Sequence, residues 1–406
     1  MSKSKSFTGQ PIFAQVLKLI PRPLITKLTK KHKTDRYLKR FSTYDQLVSM
    51  LYCVFQQCTS IREVATGMIS WQSRLVHLGV KCPPKRSTLS DANKRCPEAF
   101  FHDLYHSLIQ QYYSQLLPDS RTKKSREERV YFIDSTTIEL FNEVMKGAGS
   151  YGLDGKKKGG VKAHMAVNAS HHIPNIVYLT EAKENDRVFM DKIDVPRGSI
   201  LVFDKGYFKF SQWQKWTDKN VFWVTRLSNV AYYEVLEEKE IHPKQLSLGV
   251  VQDQLILLGR GTSPGTEVII ARRVKYFDSE KQRYFDFVTN HMNLSPGNIA
   301  DLYKSRWQIE SLFKSVKQNY QLRYFLGANA NAICIQIWCS LIADLLIKVI
   351  KNQVQRAYAH SNLISLIRIH LGTYVRMYVF LENPEGTMDD YVHNDQYSFD
   401  FGQNTS

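Results

Sequence analysis

The sequence predicts a mixed α/β protein, with a central sheet and helices, an all-β interruption, and a basic helical region ahead of both. Three observations lead there. Apolar residues recur at helical spacing up to about residue 120, β-rich runs alternate with Gly-rich or polar loops from residue 130, and short strands at regular spacing fill 228–295. With 406 residues, 43% hydrophobic and 12% aromatic, the chain can bury a large core and divides into two or three units.

Helical periodicity runs first through PIFAQVLKLI and YDQLVSMLYCVFQQCTS. Between them, residues 21–40 carry eight Lys or Arg, which a solvated face or a phosphate-tracking arm explains equally well. In KRSTLSDANKRC, Ser87 or Thr88 is the expected N-cap of a short helix, with Lys85, Arg86, Lys94 and Arg95 around it. That arrangement suits a helix-turn-helix reader, though no strict motif is met. The net charge is +17, and residues 1–128 hold 22 Lys and Arg against 9 Asp and Glu, so an anionic polymer or surface is the expected partner.

After a polar linker at 119–129, VYFIDSTTIEL, VKAHMAVN, IPNIVYLTEAK and GSILVFD read as strands. FSQWQKWTDKN follows as a helix and VFWVTRL as a fifth strand. VAYYEVL, GVVQDQLILLG, TEVIIARRVKYF and QRYFDFVTN form the expected all-β insertion, and one helix is expected over 298–318. The boundaries read from these shifts are 1–128, a basic helical domain; 129–227, the first part of an α/β core; 228–295, the insertion; 296–380, the last part of the core with C-terminal helices; and 381–406, a polar tail.

Several classes are excluded or disfavoured. GKKKGG at 155–160 lacks the terminal Lys-Ser or Lys-Thr of a P-loop, and no dinucleotide-binding pattern occurs. Six cysteines form no CxxC pair, so reduced and mostly buried thiols are expected. Met1–Gln10 is polar and unlike a signal peptide. The apolar run at 333–350 contains Gln336, Ser340, Asp344 and Lys348, which fits a buried helix better than a membrane span.

Three carboxylates stand out. Asp134 interrupts an apolar strand, where a charge is costly unless paired or bound to metal. Asp204 ends the strand SILVFD beside Gly206, and strand ends are where α/β sheets present catalytic groups. Glu310 shares a helical face with Tyr303, Arg306 and Lys317, apart from the apolar stripe of Leu302, Ile309, Leu312, Phe313 and Val316. Each has a structural explanation: an Asp134–Lys162 pair, a turn capped by Asp204, an ordinary Arg306–Glu310 ion pair. Convergence of all three would instead give the hard oxygen ligands that Mg²⁺ needs. His164, His171 and His172 are expected to be structural.

FIDST, VFDKGY and Y-x2-R-x3-E-x6-K, here Tyr303, Arg306, Glu310 and Lys317, together resemble the IS4 family of bacterial insertion-sequence transposases. The resemblance spans about 128–350 and implies an RNase H-like catalytic domain with a DDE triad, split by a β-rich insertion and preceded by a small helical domain. It implies Asp134, Asp204 and Glu310 as catalytic and metal-binding residues, with Mg²⁺ (Mn²⁺ as a substitute), two ions in all. Tyr303, Arg306 and Lys317 would contact phosphates, Arg226 resembles a recurring basic position, and Lys85, Arg86, Lys94 and Arg95 remain DNA contacts expected from charge. The implied partners are double-stranded DNA, at terminal inverted repeats and target, and a second copy in a homodimer, with no membrane; the implied location is cytoplasmic and nucleoid-associated. The insertion offers several aromatics for stacking on a flipped base (Trp223 just before it, Tyr232, Tyr233 and Tyr276) without distinguishing among them, and hairpin formation at the element end is implied by family only. A Mg-dependent RNase H-like nuclease without strand transfer and a catalytically dead DNA-binding repressor are the competing readings.

Overall fold

The computed structural model describes residues 9–116, 129–139, 160–182, 184–259, 268–320, 322, 324–327, 329–387 and 390–391. The linker residues 119–128, most of the basic loop at 155–160 and the tail beyond 391 lie outside them. The chain forms two compact units, one joining Met1–Leu108 with Ile335–Ser406 and one comprising Ile109–Cys334. The boundary therefore differs from the one read at 128, and the C-terminal helices belong with the N-terminal region rather than with the sheet.

In the first unit, α1 (Ile12–Lys18), α2 (Arg22–His32), α3 (Thr43–Gln56), α4 (Ile61–Ser70), α5 (Gln72–Leu78), α6 (Arg86–Arg95) and the start of α7 (Glu98–Leu116) come from the N-terminal segment. Helix α3 is the hub: Ser42 and Asp45 close a capping box at its start, and Leu47–Phe55 is buried throughout. The reason the termini fold together is visible in their backbone. Ile12 and Phe13 donate to the carbonyls of Thr373 (3.0 Å) and Leu371 (2.9 Å), and the Gln15 amide bridges Val375 O and Met377 N.

The second unit holds β1 (Val130–Glu139), β2 (Gly160–Asn168), β3 (Pro174–Glu181), α8 (Arg187–Met190), β4 (Ile200–Val202), α9 (Phe210–Asp218) and β5 (Phe222–Arg226). Then come β6 (Tyr233–Glu238), α10 (Pro243–Ser247), β7 (Val250–Leu258), β8 (Ile269–Asp278), β9 (Arg283–Thr289), α11 (Pro296–Ser305) and α12 (Gln308–Asn319). Helix α13 (Ala330–Gln353) begins here and continues into the first unit, followed by α14 (His360–Ile369) and α15 (Met377–Glu382). Helix α13 is long and apolar enough to cross a membrane, but it is mostly buried in the protein, with Asp344 paired to Lys348 (2.8 Å) and His360 (2.8 Å).

One nine-stranded sheet, ordered β3-β2-β1-β4-β5-β9-β8-β7-β6, organises this unit. β1, β2 and β3 pair antiparallel, while β1-β4 and β4-β5 are parallel. The four strands of the expected insertion form, but β9 pairs antiparallel with β5, so the insertion extends the sheet instead of standing apart. Side chains stitch that seam. Asn290 accepts from Trp223 N–H (2.8 Å), and the Thr289 hydroxyl donates to Trp223 O (2.6 Å). Beneath the sheet Ile133, Phe203, Trp213, Trp216 and Trp223 are buried together, the Trp213 and Trp223 rings 4.6 Å apart.

Candidate active site

The parallel registers bring the acids together. β1 and β4 align Phe132 with Val202, so two residues further on Asp134 stands level with Asp204. β4 and β5 align Val202 with Val224, which places Arg226 level with Asp204 from the other side. Three adjacent strands thus bring Asp134, midway along β1, level with Asp204 just past β4 and Arg226 at the end of β5.

Helices α11 and α12 supply the opposing wall. The single helix expected over 298–318 is in fact two, joined at Arg306–Trp307 by i to i+3 bonds such as Arg306 N to Tyr303 O (3.2 Å) and Ile309 N to Arg306 O (3.0 Å). Ile309, Phe313 and Val316 are buried as the apolar stripe requires. Tyr303 and Arg306 are buried too, so these two members of the polar face point inward, while Glu310 stays partly exposed.

Arg306 donates to Asp134 Oδ2 (2.7 Å) and lies 3.6 Å from Glu310. Asp204 Oδ1 accepts from Arg226 Nη2 (2.9 Å) and Nε (3.2 Å) and from the Tyr303 hydroxyl (2.9 Å). Lys317 donates to Thr137 O on β1 (2.7 Å). Asp134 therefore pairs with Arg306 and not with Lys162, which binds Asp186 at 2.7 Å. Asp204 also turns the chain, its carbonyl accepting from Tyr207 N–H (3.0 Å).

The acids differ in charge state. Burial pushes the Asp134 carboxyl above the usual range, against the pull of Arg306, and the charge of Asp204 adds to the rise. Glu310 is also raised, by burial and by Asp134 and Asp204, with Arg306 opposing. For Asp204 burial acts the same way but is outweighed by Tyr303, the Lys205 backbone N–H and Arg226, which hold it below the usual range. Among the described residues no three His, Cys, Asp or Glu side chains stand close enough to hold a metal ion, and Arg306 and Arg226 bond Asp134 and Asp204.

A family model described as "Transposase DDE domain" matches residues 125–345, across both aspartates, the sheet and Glu310. The chain belongs to this DDE transposase family. A domain family of unknown function matches residues 8–81. A putative transposase of Sinorhizobium fredii is 30% identical over 66% of this chain and 71% of its own length. Transposases of insertion sequence IS5377 from Geobacillus stearothermophilus and IS4SA from Synechocystis are each 25% identical, over 66% and 65% of this chain and 68% and 71% of theirs. The resemblance to IS4-family transposases is thus borne out. Among solved structures, the piggyBac transposase synaptic complex with hairpin DNA matches with TM-score 0.40 and 7% identity, over 91% of this chain and 82% of that one.

Several site features of this transposase escaped sequence reasoning. Asp186 accepts from the Ser135 hydroxyl (3.0 Å), beside Asp134. A pocket of roughly 240 Å³ opens next to Arg226, Tyr303 and Arg306, and Trp307, 63% exposed, lines it with Lys281 and Lys304. Of the aromatics considered, Trp223 and Tyr276 are buried and Tyr232 is exposed. An aromatic directly after the motif arginine was the available signal. His164 is buried beside Asp186 and Thr180, and burial lowers its pKa to about 4, so it is neutral at ordinary pH.

In the other unit, Lys85, Arg86, Lys94 and Arg95 are exposed around α6, whose N-cap is Lys85 rather than Ser87 or Thr88. Leu89 and Ala92 face inward, and Asn93 Oδ1 accepts from buried Gln46 Nε2 (2.8 Å), which locks α6 to α3. Cys53, Cys58, Cys96 and Cys339 are buried thiols, while Cys82 is exposed.

Proposed function

We propose that this DNA transposase of an insertion sequence cleaves at its element ends and joins the 3′ ends to target DNA at Asp134, Asp204 and Glu310. The observation that carries the reading is the shared level of Asp134 and Asp204 on parallel strands, with Glu310 3.6 Å from the Arg306 that binds Asp134. The order β3-β2-β1-β4-β5, antiparallel then parallel, is consistent with an RNase H-like core.

A divalent cation is implied by the family, and the donor chemistry fits one. The charge of Asp204 raises the proton affinity of Asp134 and Glu310, and Asp134 that of Glu310, so the three carboxylates feel one another as a negative set of hard oxygens, the donors Mg²⁺ or Mn²⁺ favours. Asp134, Asp204 and Glu310 would hold the ions, two in our reading, which would supply Lewis acidity toward a phosphodiester. The other residues act on the DNA. Arg226 and Arg306 present planar forks matched to phosphate, Lys317 a point charge, and Tyr303 a hydroxyl donor. Trp307, Lys281 and Lys304 would receive the strand beside them. Lys85, Arg86, Lys94 and Arg95 would grip the terminal repeats, with two copies of the chain bridging two ends in the cytoplasm.

Asp134→Ala, Asp204→Ala and Glu310→Ala should each abolish cleavage of an end-containing duplex while end binding persists. Substantial cleavage by any one of them removes that residue from the triad. A precut end then separates transposition from simple hydrolysis: joining to target DNA in Mg²⁺ is expected, and full activity in EDTA would sink the metal-dependent chemistry.

A further inference from the structure

Tyr37, in the turn between α2 and α3, is 84% exposed and sits in the left-handed backbone region at φ 64°. A bulky L-residue adopts that conformation at a cost, and here no burial of the ring offsets it. The turn is fastened, not loose. Thr34 is buried, and the Asp35 carboxylate accepts from the Thr43 N–H (2.7 Å) and hydroxyl (2.6 Å) at the start of α3. Arg36 N–H bonds Lys33 O (3.3 Å), Leu38 N–H bonds Asp35 O (3.2 Å), and Lys33 is itself left-handed at φ 53°.

Cations flank this projecting ring along the chain. Lys30, Lys33, Lys39 and Arg40 are exposed and, among the described residues, make no ion pair, whereas Lys31 is tied to Asp103. The Arg36 guanidinium lies 4.8 Å from the Tyr37 ring centroid. A concavity of about 380 Å³, lined by Thr29, Lys30, Lys33, Asp35 and Arg36, lies on the same turn. A solvated charged face accounts for the lysines alone. It does not account for a strained, exposed aromatic on a rigid turn, which matches a polymer that alternates phosphates with flat apolar surfaces.

We propose that the α2–α3 turn is a DNA-contacting element, in which Lys30, Lys33, Arg36, Lys39 and Arg40 neutralise backbone phosphates and the Tyr37 ring packs against sugars or bases in the groove. This rests on the reading of the chain as a DNA transposase and adds a contact surface distinct from α6.

The test uses the full-length chain and fluorescence anisotropy with two duplexes of equal length, one carrying the sequence that flanks the reading frame and one scrambled. Replacing Lys33, Arg36 and Lys39 together by Ala should flatten the log-affinity against log-salt slope by about 2.7, at about 0.9 per phosphate contact. Tyr37→Ala should weaken binding roughly tenfold with little change in slope, and Tyr37→Phe should bind like wild type. Tyr37→Gly separates binding from folding: relief of the left-handed strain should raise the melting temperature while affinity still falls. An unchanged slope in the charge variant, or wild-type affinity in both Tyr37→Ala and Tyr37→Gly, overturns the assignment. Failure of the wild-type chain to bind either duplex would overturn the DNA-binding reading as well.

Discussion

Asp134 and Asp204 stand level on neighbouring strands, yet their settings are opposite, and stability should report the difference. Asp204, held low by Tyr303, Lys205 N–H and Arg226 against burial, contributes stability above the unfolded carboxylate range that is lost as pH falls through its folded pKa. Asp134, raised by burial, fits the fold better protonated: its contribution is present below the unfolded pKa and lost as pH rises through the folded one. Asp204→Asn should therefore destabilise at pH 7 and converge on wild type in acid. Asp134→Asn should cost little at pH 7, since Arg306 keeps Glu310 at 3.6 Å. Thermal melts from pH 7 down to about pH 2, below the unfolded carboxylate range, check both, and a larger pH 7 loss for Asp134→Asn would contradict this electrostatic assignment. Both variants should be inactive. The acids were legible because a charge inside an apolar strand has few explanations. Their partners were less so, since the β1–β2 register sets Lys162 opposite Thr137 rather than Asp134, and only the docking of the α11–α12 turn brings Arg306 to Asp134.

Helix α11–α12 shows where local pattern stops being informative. Its apolar and polar faces were readable at helical spacing, but SRWQ contains no Gly or Pro to mark the narrowing at Arg306–Trp307. Long-range bonds from Tyr303 to Asp204 and from Arg306 to Asp134 anchor both sides of that turn, a tertiary effect absent from the local sequence. They also change what substitution should do. Arg306 is buried, so Arg306→Ala strands Asp134 and should cost about 3 kcal/mol, well beyond a surface pair. Arg306→Lys keeps the charge and loses the fork, and should fold while losing at least tenfold in strand transfer. The exchange Ser305→Arg with Arg306→Ser moves the cation about 120° around a tight turn and should not restore activity. Wild-type strand transfer by the exchanged variant would show that register is irrelevant here.

At the scale of the molecule, the strands of the insertion were readable from alternation and turn residues, but their partner was not, because strand pairing is a long-range choice. By joining β5 through β9, the insertion also braces the site. Buried Arg272 pairs with Asp253 (2.7 and 2.6 Å) and donates to Met292 O and Leu294 O (2.9 and 2.5 Å), just before α11. Asp253→Ala should thus lower stability by about 3 to 5 kcal/mol and loosen the helix that carries Tyr303. The pairing of the termini was equally hidden and bears on dissection. Removing residues 1–108 takes away α1 and α3 and leaves α13, α14 and α15 with their apolar faces uncovered. That truncation should aggregate, whereas removing both 1–108 and 335–406 should leave a soluble sheet unit with its acids in place. Sedimentation and near-ultraviolet circular dichroism of the two truncations decide the matter. A soluble, cooperatively melting chain lacking only 1–108 would mean that the C-terminal helices do not need the N-terminal ones, and the two-segment unit would fail as a folding unit.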